Sequence, residues 1–498
     1  MKETNIHKAE KSQEKKNAEI SANKFLQWIH KVQNGSPDVE TGQPTEDGKT
    51  FNPFLERNVE NPTTDGDTLT HLLKASLGTG ILAMPVAFKN AGLFMGIIAT
   101  LLVAFVCTHC SYILVKCAHV LYFRTRRTEM GFADVAEAAF ATGPKWSKKF
   151  AKSFRYFIQI CLFVTYFGAS SVYAVIITKN FQQVLEYYTQ AEVNERLLIA
   201  SLLLPIILLC LIPNLKYLAP VSMVANILMG ISLGITFYYL VINLHPLSEI
   251  PKMAPVGNFP TFFSITIFAM EAIGVMMPLE NSMETPQNFI GIFGVLNKGM
   301  AGVTIIYILL GFLGYCAYPD NTADSITLNL PINEIPAQIV KIFIGLAVFC
   351  TFSLQFYVCI EIGWNAIKDR FEKKPVLANY ILRTILATGA VLLAVAVPTI
   401  GPFIGLIGAF CFSILGLLVP VIIEMITFWN IGYGPGNWMV WKNVIICIVG
   451  FIALVVGSKS AIADILAIYS GGNAIVQETT LESVFNNTTE DLFATISA

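Results

Sequence analysis

The sequence predicts an all-α polytopic membrane protein in which two five-helix repeats cross the bilayer in opposite senses and the first and sixth spans are broken. Three observations lead there. The chain has 498 residues, 54% hydrophobic and 13% charged, and many of its apolar stretches are long enough to cross a ~30 Å hydrocarbon core as helices. Lys and Arg collect in some loops and are missing from others. Two membrane-length runs are interrupted, at Ser76-Leu77-Gly78-Thr79-Gly80-Ile81 and at Met270-Glu271-Ala272-Ile273-Gly274-Val275.

Taken in order, hydropathy places eleven spans, at 68–91, 93–121, 155–178, 197–213, 218–243, 259–281, 298–318, 337–365, 379–398, 401–429 and 441–465. Repeat one covers 68–243, repeat two 259–429, and 441–465 is an additional helix. The loop after span two holds Arg124, Arg126, Arg127, Lys145, Lys148, Lys149, Lys152 and Arg155, and the loop after span eight holds Lys368, Arg370, Lys373 and Lys374. Both are expected in the cytosol. The loop after span seven has Asp320, Asp324 and Glu334 without Lys or Arg, and it belongs on the far side with the C-terminal tail 466–498. The sequons at Asn486 and Asn487 agree with a non-cytosolic tail that can be glycosylated. Residues 1–67 are polar, lack the apolar run of a signal peptide and are expected to form a disordered cytosolic tail; Phe25, Leu26, Trp28, Ile29 and Val32 make a short amphipathic turn within it. A net charge of −1 with no dominant basic patch argues against a nucleic-acid partner. The ten cysteines fall in or beside apolar runs, so they suggest no loop disulfides, and Cys107 and Cys110 read as buried packing thiols.

The breaks carry the chemistry. Non-helical backbone at membrane depth is tolerated where it is buried in protein or lines a watery cavity, and paired breaks in two inverted halves mark the binding site of a secondary transporter. Span one and span six are five helices apart and run in opposite directions. Gly78 and Gly80 let the chain leave the helix, so that the N–H groups of Thr79, Gly80 and Ile81 face an anion at a helix N-terminus. Around Glu271 the carbonyls of Ala269 and Met270 suit an ammonium. Together they describe a zwitterionic amino acid. Ser76, Phe268 and Gly274 flank the same breaks, with Ile273, Tyr166 and Tyr357 expected to crowd them toward small side chains. Glu271 either exchanges a proton or holds freed backbone donors. His71, two turns before the first break, is either a proton carrier or a packing residue. Glu280, Glu361, Glu424 and Arg383 lie near span ends, where snorkelling or gate salt bridges are expected.

Several motifs resemble one family. Leu69-Thr70-His71-Leu72-Leu73-Lys74, Leu77-Gly78-Thr79-Gly80-Ile81-Leu82, Pro85 and Lys89-Asn90-Ala91-Gly92 resemble the first helix of the proton-coupled amino acid transporters of the amino acid/auxin permease group. Ile267-Phe268-Ala269-Met270-Glu271-Ala272-Ile273-Gly274-Val275 with Met277-Pro278-Leu279-Glu280-Asn281 is similar to that family's sixth helix. Further matches at 311–315, 354–358 and 404–409 extend the resemblance over about 67–465, and the pattern is that of an invertebrate member. The resemblance implies a leucine-transporter-type fold with eleven helices, and symport of glycine, alanine or proline with a proton. It also implies a coupling role for His71. Ala75-Ser76 and Ala272 depart from the family's common Gly-Asn and Gly, which bears on pocket shape. Relatives carry a disulfide between outer loops, whereas the loop 179–196 lacks cysteine and Cys316 is expected to stay unpaired.

Alternatives remain within this frame. Sodium coupling would use hydroxyls such as Thr351 and Ser353 with unwound carbonyls. An uncoupled carrier, or an amino-acid-sensing receptor with nutrient-signalling partners at its N-terminal tail, is also compatible. The plasma membrane and the lysosomal or endosomal membrane both fit. No catalytic constellation, metal-ligand spacing or cofactor motif points to an enzyme.

Overall fold

The computed structural model describes residues 51–59, 62–212, 215–270, 272–371, 373–433 and 435–469. The expected glycosylation sites Asn486 and Asn487, the amphipathic turn at 25–32 and Glu271 lie outside them. The first span begins as α1 (Asp65–Ser76), breaks, and resumes through a 3-10 turn (Thr79–Ala83) into α2 (Met84–Ala91), with the two arms bent by 47°. Thr64 caps α1: its hydroxyl accepts from the N–H of Asp67, whose carboxylate in turn accepts from the N–H of Thr64. Gly92 then sits at φ +87, and a Cβ there would lie 2.5 Å from the Cα of Met253, so the corner into α3 (Leu93–Thr125) needs glycine twice over.

The chain continues through α4 (Phe132–Thr142), α5 (Ala151–Thr189), α6 (Glu195–Ser201), α7 (Leu203–Cys210) and α8 (Leu215–Ile242). The sixth span is α9 (Phe259–Met270) followed by α10 (Ile273–Asn281). After it come α11 (Val295–Ala317), α12 (Ile335–Ile367), α13 (Pro375–Ala396), α14 (Gly401–Ile407), a π-helical stretch (Gly408–Leu418) and α15 (Val419–Thr427). The last span is α16 (Trp438–Ile452), a π turn (Ala453–Gly457) and α17 (Ser458–Tyr469).

Among the described residues 9 helices are long and apolar enough to cross a bilayer alone, and α1 with α2 supplies a tenth as a bent pair. The expected span at 197–213 is the exception to a single long helix. Pro205 has no N–H to offer the carbonyl of Ser201, so α6 and α7 meet at Leu202, which stays at φ −71 and ψ −11. The boundary of the expected disordered tail also moves. Phe54 is buried at 8% exposure, Arg57 pairs with Glu280, and Thr63 bridges to Met283, so the chain packs onto the bundle well before residue 67. An aromatic and a guanidinium with matching partners make up for the ordering entropy that the polar composition alone could not.

The core runs between α1 to α3, α9, α11 and the π stretch, while α5 and α8 lie against α12. Small residues set the spacing, as expected where close contact rather than hydrophobic exclusion holds membrane helices together. A Cβ on Gly408 would fall 2.0 Å from the carbonyl oxygen of Ser264, so α9 lies flush on the π stretch. Large apolar side chains such as Leu102, Phe105, Ile305 and Ile385 point outward, as a lipid-facing surface requires.

Candidate substrate site

The two breaks meet. At the first, Leu77 leaves the helix at φ −79 and ψ 56, and Gly78 is extended at φ −82 and ψ −163. At the second, α9 ends on Met270, Ala272 sits at φ −128 and ψ 12, and α10 starts at Ile273. A Cβ on Gly80 would lie 2.6 Å from the Cα of Ala269, so the backbones of the two breaks touch. Glycine at 80 is therefore required by the sixth span itself. Gly78 differs, because the nearest atom to a Cβ there is the Tyr173 hydroxyl at 3.9 Å.

Two helices end here and two begin. The last four carbonyls of a helix have no intrahelical partner, and they carry the negative end of the peptide dipoles. Ser76 closes α1, and Ala269 lies in the last turn of α9. The Tyr307 hydroxyl on α11 stands 2.5 Å from the Ser76 carbonyl oxygen and 3.0 Å from that of Ala269, and donates its proton to this pair. Sequence reasoning missed Tyr307, because a tyrosine within an apolar run carries no site signal. The opposite ends are the N–H groups that open the 3-10 turn. The N–H of Ile81, expected to face the ligand, returns instead to the Gly78 carbonyl at 3.4 Å, which leaves Thr79 and Gly80 as the first donors of that turn.

Around the breaks the walls are aromatic. Phe268 is 8% exposed and meets Phe412 of the π stretch edge-on at 5.8 Å. π-helical turns inside α-helices frequently mark functional sites. The Tyr166 ring packs on Gly274, where a Cβ would lie 2.2 Å from its hydroxyl. Tyr173, another wall that sequence reasoning passed over, accepts from the Gln355 amide at 3.2 Å. Tyr357 lies elsewhere, with the Arg383 guanidinium 5.8 Å from its ring centre. Ile273 is buried, and the Ser76 hydroxyl is buried without a hydrogen-bond partner beside the break. Thr351 and Ser353 both donate to carbonyls of their own helix, to Ala347 and Cys350.

His71 is exposed, on the arm of the first span that precedes the break. It belongs to a stripe on α1 formed by Asp67, Thr70, His71, Lys74 and Ala75, all exposed, with Thr68, Leu72 and Ser76 buried on the other side. A lysine facing hydrocarbon at the middle of a span would cost about 2.5–3.5 kcal/mol, so a polar row of this kind suits a face turned to protein or water rather than to lipid. Of the charged groups at span ends, Glu280 and Glu424 form buried pairs, while Glu361 is exposed. Glu280 accepts from Arg57 at 3.3 Å, Tyr122 at 2.8 Å and His119 at 3.0 Å, and Glu424 pairs with Lys442 at 2.7 Å. Arg383 donates to the carbonyls of Cys210 and Ile212. No disulfide forms among the ten cysteines.

The family model of the transmembrane amino acid transporter proteins matches residues 61–463. The chain belongs to this family. It is 59% identical over 447 residues to the proton-coupled amino acid transporter-like protein pathetic of Drosophila melanogaster, covering 90% of this chain and 94% of that one. It is 27% identical to the amino acid transporter ANT1 of Arabidopsis thaliana, covering 82% and 96% of the two chains. In three dimensions it is similar to the inward-facing conformation of Mhp1, with a TM-score of 0.51, 10% identity, and 84% and 92% coverage. The fold is of the leucine-transporter type, and the protein is a multi-pass amino acid transporter rather than an enzyme.

Proposed function

We propose that the protein moves small neutral amino acids of the glycine, alanine and proline type together with a proton. The observation that carries this reading is the meeting of the breaks, where two helix C-termini and two helix N-termini converge on one point of contact between Gly80 and Ala269. The carboxylate lies against the N–H groups of Gly78, Thr79 and Gly80. The ammonium lies against the carbonyls of Ser76 and Ala269, with Met270 beside them. A zwitterion complements both ends of the dipoles at once. Side-chain size is limited by Phe268, Phe412, Tyr166 and Tyr173, which favours methyl or ring-closed side chains over indole.

The proton enters along the exposed stripe of α1, where His71 is the group that takes and releases it; Glu271 is the second carrier in this scheme. By the distribution of Lys and Arg the N-terminus is cytosolic and the tail with Asn486 and Asn487 lies on the other side, in the plasma membrane or a lysosomal membrane. The 59% identical relative bears a proton-coupled name, which supports the coupling. Uptake of labelled alanine into vesicles carrying the purified protein, driven by an imposed pH gradient without sodium, tests the proposal. Accumulation that collapses with a protonophore is expected; accumulation that needs sodium contradicts it.

A further inference from the structure

Tyr307 lies outside every motif, yet it is the group that joins the two breaks. Its side chain is fully buried on α11, a helix that packs on α1, α2 and α3, whereas Tyr173 and Gln355 sit on the α5–α12 pair. The Tyr307 hydroxyl thus reaches the breaks from α11, while Tyr173 approaches Gly78 from α5. We propose that Tyr307 is a positioning residue for the substrate's amine, holding the Ser76 and Ala269 carbonyls together as one acceptor pair. The inference rests on the amino acid reading above.

The physical case has three parts. Buried carbonyls at helix ends need donors, and two C-terminal dipole ends brought together repel one another. A hydroxyl proton between them relieves both problems. Next, both oxygens lie within 3.0 Å of one hydroxyl, so one ammonium with N–H···O bonds of ~2.9 Å can touch both. Last, a phenol donates one proton, while each carbonyl has two lone pairs, so Tyr307 leaves acceptor capacity for an ammonium with three N–H groups. A tie with only a structural role would hold the breaks together without regard to the ligand's N–H groups.

The test is Tyr307→Phe, which removes one oxygen and keeps the ring. Binding of alanine and of N,N,N-trimethylalanine, which has the same charge but no N–H, is measured calorimetrically on the purified full chain in nanodiscs. Parent protein is expected to prefer alanine, and Tyr307→Phe to weaken alanine about tenfold by loosening the acceptor pair, with the trimethyl analogue changed less than twofold. Equal loss for both ligands, or unchanged preference, overturns the positioning role while leaving the transport reading intact. A parent that binds no alanine removes the transport reading and this inference with it.

Discussion

Arg57 and Glu280 form a buried ion pair, 3.3 Å from Nη2 to Oε1, across 223 residues of chain. The same guanidinium donates to the Thr128 carbonyl at 2.7 Å and lies 5.1 Å from the Tyr122 ring centre. The pair fastens the segment before α1 to the end of α10. Thr63 repeats the connection six residues on from Arg57, with its N–H given to the Ser282 carbonyl at 2.8 Å and its carbonyl taking the N–H of Glu284 at 3.0 Å. The start of the first broken span and the end of the second are therefore held together on one face.

Removing one partner of a buried pair leaves the other charge unpaired, at about 3–5 kcal/mol. Glu280→Ala is expected to lower the thermal unfolding midpoint of the purified protein by several degrees, and Arg57→Ala to do the same. The double variant should lose less than the sum, because each change alone already removes the shared ion pair. Additive losses in fluorescence-monitored unfolding would show that the two side chains act independently.

Gly80 and Gly78 are expected to respond differently to a single methyl group. At Gly80 a Cβ meets the Ala269 backbone, and overpacking of this kind costs about 1–3 kcal/mol. Gly80→Ala should lower both the unfolding midpoint and alanine uptake. At Gly78 the methyl has room, so Gly78→Ala should keep the parent midpoint and raise the KM for alanine. A normal KM in Gly78→Ala would remove the carboxylate from that position.

Gly274 and Tyr166 offer a rescue experiment. Gly274→Ala places a methyl against the Tyr166 hydroxyl, so uptake should fall, and Tyr166→Phe in the same protein should recover part of it by removing the atom in conflict. Failure of the double variant to exceed Gly274→Ala would mean that the ring as a whole, rather than its hydroxyl, meets the new methyl.

The positions of the two breaks were legible in the sequence. Gly78-Thr79-Gly80 and the run around Glu271 stand out because glycine and a carboxylate are out of place at membrane depth, and the inverted repeat follows from their spacing and the loop charges. The reason for each residue was less legible. Gly80 faces another backbone, and no one-dimensional pattern announces contact between residues 80 and 269. Tyr307 and Tyr173 read as ordinary aromatic residues in apolar helices. The Phe54 and Arg57 anchors lie in a segment whose composition looks disordered, and only partners 65 or more residues away give them a place. The Pro205 interruption shows in the sequence as a single proline, but whether the chain bends or runs on there depends on its neighbours.

Size selection follows from the walls. Phe268 with Phe412, and Tyr166 on Gly274, crowd the breaks, and under the proposed function they limit the substrate to small side chains. Tryptophan uptake is expected at less than a tenth of the alanine rate, and Phe268→Ala should raise it, since removing a buried ring opens a cavity. Equal rates for alanine and tryptophan in parent protein would refute the wall assignment.

The central claim is that an amino acid crosses with a proton by way of the joined breaks and the polar stripe of α1. Its most direct measurement is the internal pH of sodium-free vesicles carrying the purified protein after alanine is added outside. Acidification that follows alanine in the parent, is absent with tryptophan and disappears in His71→Ala is the result the account predicts. Alanine uptake by the parent with no change of internal pH would contradict it.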